Sequence, residues 1–164
     1  MSKSEKNLLD AFAGESQANR KYLAFAKKAE AEGFKQIAKL FRAAAAAETI
    51  HAHNHLREVG GIKTTKENLE TAVQGEVFEF QKMYPAMIED SKKEANKQAE
   101  QTFTFANEVE KIHAALYKKA IEDLGKNKET DYYVCQVCGN TVEGSAPDKC
   151  PICGAPKTSF KKME

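Results

Sequence analysis

The chain has 164 residues, 41% of them hydrophobic, with 25 basic and 24 acidic side chains and a formal charge of +1. This suits a packed domain with a small appendage, and neither a basic excess for nucleic acid nor an acidic tail for a basic partner is present. The polar start MSKSEKNLLDAFAGES lacks the pattern of a secretory signal, and no uncharged apolar run is long enough for a bilayer, so the expected location is cytoplasmic.

Residues 5 to about 125 hold a single proline, Pro85, and are rich in Ala, Glu, Lys, Leu and Gln, all good helix formers. A first helix is expected from about Glu5 to Glu32, where Gly33 breaks it. A second runs from about Phe34 to Val59 and stops at Gly60-Gly61. Thr65 is the expected N-cap of a third helix lasting to about Met83, with Pro85 at a bend or boundary. A fourth covers roughly Ser91 to Leu124 and ends at Gly125. Four long helices without a strand pattern make an all-α bundle. The run AAAAA at 43–47 reads as a close helix–helix contact.

The composition shifts at 126. KNKET is a polar linker, and the following stretch holds every cysteine and three of the four prolines. The expected boundaries are 1–126 for the helical domain, 127–130 for the linker and 131–164 for a small strand-and-turn module. A core that small needs a staple, which a bound metal would provide.

The helical part repeats. Gly14-Glu15 resembles Gly75-Glu76, and AETIH (Glu48, His51) resembles VEKIH (Glu110, His113). Glu15 precedes Glu48 by 33 residues and Glu76 precedes Glu110 by 34. Glu-x-x-His puts a carboxylate and an imidazole on one helical face. Two such helices, and two with one glutamate each, give the ligand set of a di-iron or di-manganese carboxylate site. The apolar neighbours Ala11, Phe12, Ile50, Phe78 and Ile112 point these faces inward. In GEVFEF a further carboxylate, Glu79, lies one turn from Glu76 and falls opposite Ala18 in the repeat, outside the symmetric set. Oxidised iron prefers anionic oxygen and ferrous iron suits imidazole, so a seventh donor is useful if one metal changes partner.

Cys135-x-x-Cys138 and Cys150-x-x-Cys153 are separated by eleven residues. Cysteines clustered in this way point to a metal in a reducing compartment rather than to disulfides. Four thiolates suit zinc or iron, and spacing does not choose between them.

The stretches AFAGESQANRKYLAFA, AEGFKQIAKLFRA, AETIHA, GEVFEFQKMYP and EVEKIHAALY, with CPICGAPK and YVCQVCG behind them, resemble the rubrerythrin family over essentially the whole chain. The resemblance implies a ferritin-like bundle with a carboxylate-bridged di-iron site and a rubredoxin-like domain holding one redox-active tetrathiolate iron. It implies Glu15 as terminal ligand of an iron held by Glu79 when oxidised and by His51 when reduced. Glu76 and His113 hold the other iron, and Glu48 and Glu110 bridge. Tyr22 and Tyr84 match family tyrosines that hydrogen-bond ligand carboxylates. His53 and His55 match no ligand position and are expected to be exposed. Asn140 departs from free rubredoxins, which often have an aromatic there.

The expected activity is peroxidase: reduction of hydrogen peroxide to water, with Glu79, His51, Tyr22 and Tyr84 as catalytic candidates and Glu79 as proton donor. Electrons would enter through the cysteine iron from an external donor such as a reductase or rubredoxin. A ferritin-like ferroxidase or iron store ranks second, because the cysteine module contributes nothing to that task. In a third reading both metals are structural or regulatory. A homodimer is implied by the resemblance. In a ferritin-like order the link between the second and third helices must cover roughly 33 Å. Six residues, 60–65, reach only about 20 Å, so helices exchanged between two chains are expected.

Overall fold

A computed structural model describes all residues, 1–164, and divides the chain into two units, Met1–Lys63 and Thr64–Glu164. The first unit is a helical hairpin, α1 (Lys3–Ala31) and α2 (Lys35–Glu58). Ser2 caps α1 in a reciprocal box with Glu5: the Ser2 hydroxyl accepts from the Glu5 N–H, and the Glu5 carboxylate accepts from the Ser2 N–H. Gly33, with φ of 85°, turns the chain between the helices, and the Phe34 N–H reaches back to the Ala29 carbonyl.

The seam of this hairpin is made of small side chains. Ala26 and Ala29 of α1 are buried, as are Ala38, Ala45 and Ala52 of α2, which recur every seven residues. The backbones can therefore approach closely, and Asn19 crosses the seam to donate to the Ala45 carbonyl and the Thr49 hydroxyl. Of the alanine run only Ala45 is fully buried; Ala43, Ala46 and Ala47 are exposed, because a helix turns just one residue in three or four toward its neighbour.

The second unit starts with α3 (Thr65–Phe78), a π turn (Glu79–Met83) and α4 (Tyr84–Lys93), followed by α5 (Lys97–Glu122). The N-cap is Thr64 rather than Thr65, since only Thr64 stands three residues before the Glu67 that closes its capping box. Pro85 does not end the helix as expected. The wider π turn, in which the Tyr84 N–H bonds to the Glu79 carbonyl, gives the ring room, and the helix runs on to Lys93. Ser91 is buried in the last turn of α4 and does not start a helix. The break falls at Ala95, whose φ is +55°, and Asn96 then caps α5 through the Ala99 N–H. α3, the π turn and α4 thus form one rod, giving four helical rods in the chain.

Beyond α5 lies an antiparallel sheet of order β2-β1-β3, built from β1 (Tyr132–Cys135), β2 (Thr141–Glu143) and β3 (Phe160–Lys162). It docks on α5 within the same unit. Lys119 of α5 pairs with Glu143 of β2, and buried Val109 faces Gly139. No helix is long and apolar enough to cross a membrane.

Candidate metal centres

Each unit carries one three-ligand cluster, and the two are near copies. In the first, His51 Nδ1 lies 2.9 Å from Glu48 Oε2 and 3.8 Å from Glu15 Oε1. In the second, His113 Nδ1 lies 2.6 Å from Glu110 Oε2 and 3.9 Å from Glu76 Oε1. Helical spacing sets both: Glu-x-x-His puts its two donors one turn apart, and the packed neighbouring helix brings the single glutamate.

The carboxylates in these clusters crowd one another. Glu15 is held above the ordinary carboxylate value by a hydrogen bond shared with Glu48, then by burial and the Glu48 charge. Glu76 is pushed up to about 7 by burial, then by the charge of Glu110 and a shared hydrogen bond with it. Acidic groups this close need a proton or a cation among them. Hard oxygen donors with one imidazole suit iron or manganese, so the residues fit a metal.

Glu79 starts the π turn and stands outside the three-ligand cluster. Its pKa is raised by burial and by Glu110, while His113 pulls it down. Tyr84 is raised by burial, then by Glu110, Glu79 and Glu76. Tyr22 packs its ring against Phe25 and Phe41. Neither hydroxyl hydrogen-bonds a carboxylate of its own unit. Two expectations change. His53 is exposed, but His55, one turn beyond His51, is half-buried and close enough for its charge to lower Glu15. Ile50 and Phe78, read as inward-facing, are 61% and 59% exposed, because they sit on the flanks of the ligand stripe.

The imidazoles also differ at their second nitrogen. The Thr141 hydroxyl donates to the Gly139 carbonyl, so its oxygen accepts from His113 Nε2–H at 2.9 Å. An Nε2 proton held by Thr141 leaves Nδ1, 2.6 Å from Glu110 Oε2, as the nitrogen that can offer its lone pair to a metal. Sequence reasoning missed Thr141, since no spacing rule connects residues 28 apart in different modules.

In the cysteine module the sulfurs of Cys135 and Cys153 are 3.7 Å apart, and those of Cys138 and Cys150 3.6 Å. A tetrahedron with metal–sulfur bonds of about 2.3 Å has edges of about 3.8 Å, which these two distances match. All four sulfurs lie within 4.8 Å of one another, so the quartet suits a metal. All four cysteines are free. The two knuckles match: Gly139 and Gly154, both at positive φ, donate to the Cys135 and Cys150 carbonyls. The Cys150 thiol is lowered to about 7: burial raises it, but N–H groups of Cys153 and Ile152 prevail.

A family model described as rubrerythrin matches residues 6–121, and one described as the rubrerythrin rubredoxin-like domain matches 133–161. This chain belongs to the rubrerythrin family. Its cofactors are a carboxylate-bridged pair of irons and one tetrathiolate iron, and the protein is a di-iron oxidoreductase. Rubrerythrin-2 of Clostridium acetobutylicum is 37% identical over 94% of this chain and 93% of its own length. Nigerythrin of Nitratidesulfovibrio vulgaris is 37% identical over 94% of this chain and 84% of its own. A solved nigerythrin in its fully reduced, all-ferrous state has 35% identity and a TM-score of 0.61, covering 99% of this chain and 88% of that one.

Proposed function

We propose that this member of the family is a peroxide reductase, turning hydrogen peroxide into two waters with electrons passed in through the tetrathiolate iron. The observation that carries the reading is the contact between His113 Nε2 and Thr141 Oγ1. It links a di-iron donor to the cysteine module, and an electron entry port serves a reductase that must be refilled. An iron oxidase needs no such port, so the ferroxidase reading ranks second. Four free cysteines grouped as metal ligands favour the cytoplasm. The working division is 1–126, 127–130 and 131–164.

We assign Glu15, Glu48, His51, Glu76, Glu79, Glu110 and His113 to the di-iron centre, and Cys135, Cys138, Cys150 and Cys153 to the single iron. When bound, the two irons supply the electron pair that breaks the O–O bond. The side chains position and protonate. Thr141 accepts from His113 Nε2 and so aims Nδ1 at the carboxylates. Glu79 begins a π turn, the kind of local widening often found at functional sites. Burial favours its protonated form, so a carboxyl oxygen can hold a proton and give it to a departing oxygen. His51 has no partner at Nε2 and so is the donor free to alternate with Glu79. Tyr84, its phenol proton held by burial and three carboxylates, stays a hydrogen-bond donor. Tyr22 holds the matching place in the first unit.

Anaerobic mixing of fully reduced protein with peroxide tests this. Two electrons should leave the di-iron centre per peroxide, faster than with oxygen. Slow reoxidation, together with rapid turnover of added ferrous iron and oxygen, would favour the ferroxidase.

The functional unit we propose is a homodimer with exchanged helices. Glu48 lies ten residues before the end of α2 and Glu76 eleven after the start of α3, about 32 Å of helix axis. The six residues 59–64 between these helices reach about 20 Å. Exposed Phe25, Ile37, Leu40 and Ile50 on the hairpin offer an apolar surface to a second chain. Complementation decides. A Glu48→Ala chain refolded with a Glu110→Ala chain regains one intact di-iron site per mixed dimer if helices are exchanged. It regains none if each chain builds its own site.

A further inference from the structure

Asn140 is fully buried, and its side chain is aimed at the metal quartet. Its amide Nδ2 donates to Cys150 Sγ at 3.6 Å, while its carbonyl Oδ1 has no partner. The orientation follows from chemistry. A thiolate sulfur only accepts, so the opposite rotamer would set carbonyl oxygen against sulfur and orphan the amide protons as well. A leucine would fill the same space without a buried, unpaired carbonyl. An amide here is therefore poor packing, and what it adds is a hydrogen bond to sulfur.

The knuckles isolate this bond. Asn140 follows Cys138-Gly139 as Ala155 follows Cys153-Gly154, and the backbone N–H of Cys135 and of Cys150 bonds to the carbonyl of Asn140 and of Ala155 respectively. Main-chain bonding is thus alike on both sides. The side-chain donor exists only on the first knuckle and reaches only Cys150, which is itself 2% exposed. Water does not screen the interaction there.

We infer that Asn140 sets the reduction potential of the tetrathiolate iron by donating its side-chain amide to the Cys150 thiolate. Reduction adds one electron, and so one unit of negative charge, to the iron and its four sulfurs. A fixed N–H dipole pointing at one sulfur stabilises the reduced form more than the oxidised one and raises the potential, one of the protein's levers on such centres. The inference rests on the single iron and not on peroxide chemistry.

The test is a redox titration of the iron-loaded, full-length protein, following the visible absorption of the ferric tetrathiolate. Asn140→Leu should shift the equilibrium toward the ferric form about tenfold, a fall of about 59 mV for a one-electron couple. A potential unchanged while the tetrathiolate absorption stays intact overturns the inference. If the variant does not hold iron, the decision passes to unmutated protein loaded with cadmium-113. Nuclear coupling between the metal and the Asn140 amide protons, transmitted through Cys150, supports the bond, and its absence overturns it.

Discussion

The two half-sites carry the same three ligands at nearly the same distances, yet they are set in different surroundings. The side chain of His51 is 53% exposed and bonds through one nitrogen, whereas that of His113 is 27% exposed and held at both. Only the second half-site has an extra carboxylate, a π turn and a neighbouring module. An identical donor set can therefore serve two ends. On the proposed assignment, the pinned imidazole would anchor a metal and the loose one would be the donor that exchanges. The asymmetry lies in the supports and in one added carboxylate, not in the three residues the clusters share.

The largest test is to remove each histidine in turn. His113→Ala should empty the di-iron centre, lowering metal affinity by more than the roughly hundredfold that loss of an outer partner can cost. His51→Ala should retain most of the metal, because Glu79 remains as a donor, yet turn over poorly; metal analysis and steady-state peroxide consumption read the two effects. Equal metal loss in both variants would erase the distinction. Glu79→Gln should keep the metal and lower peroxide turnover by about 10²–10⁴-fold.

Thr141→Val should make the second half-site behave like the first. Metal affinity or donor-driven turnover should fall about 10–100-fold, and no residue of the hairpin has an equivalent to remove. A full-rate Thr141→Val enzyme would show that the module's contact contributes nothing.

A titration separates the half-sites at lower cost to the protein. Glu76 is raised from 4.5 to about 7. In the metal-free protein its folded form keeps a proton that the unfolded form has released. Its contribution to stability therefore falls as pH rises from 4.5 to about 7, and is flat on either side. The melting temperature of metal-free protein should drop across that window, and Glu76→Gln should reduce the slope. Metal uptake should release more protons below pH 7 than above it. The smallest effect concerns the helix starts: Ser2→Ala and Thr64→Ala should each lower stability by about 1 kcal/mol, and urea melts should show no loss of metal in either.

Much of this was legible in the residue order, and for a definite reason. A helix fixes which side chains share a face within one turn, so Glu48 with His51 and Glu110 with His113 follow from spacing alone. Cysteines two apart make a knuckle wherever the chain leads. The repeat, the two Glu-x-x-His pairs and the cysteine quartet are local facts written in the chain. Pro85 was legible only in part: the proline was seen but the π turn that admits it was not, so the helix break was placed too early, and the Asn96 cap went unread. Asn140 stood out as a departure, but nothing in its neighbours tells which sulfur it meets. Packing alone brings Thr141 to His113, Asn140 to Cys150, and gives the two imidazoles unequal shelter. These contacts join segments that no helical or turn period relates, and they form only when the module has settled on α5 and the knuckles on each other.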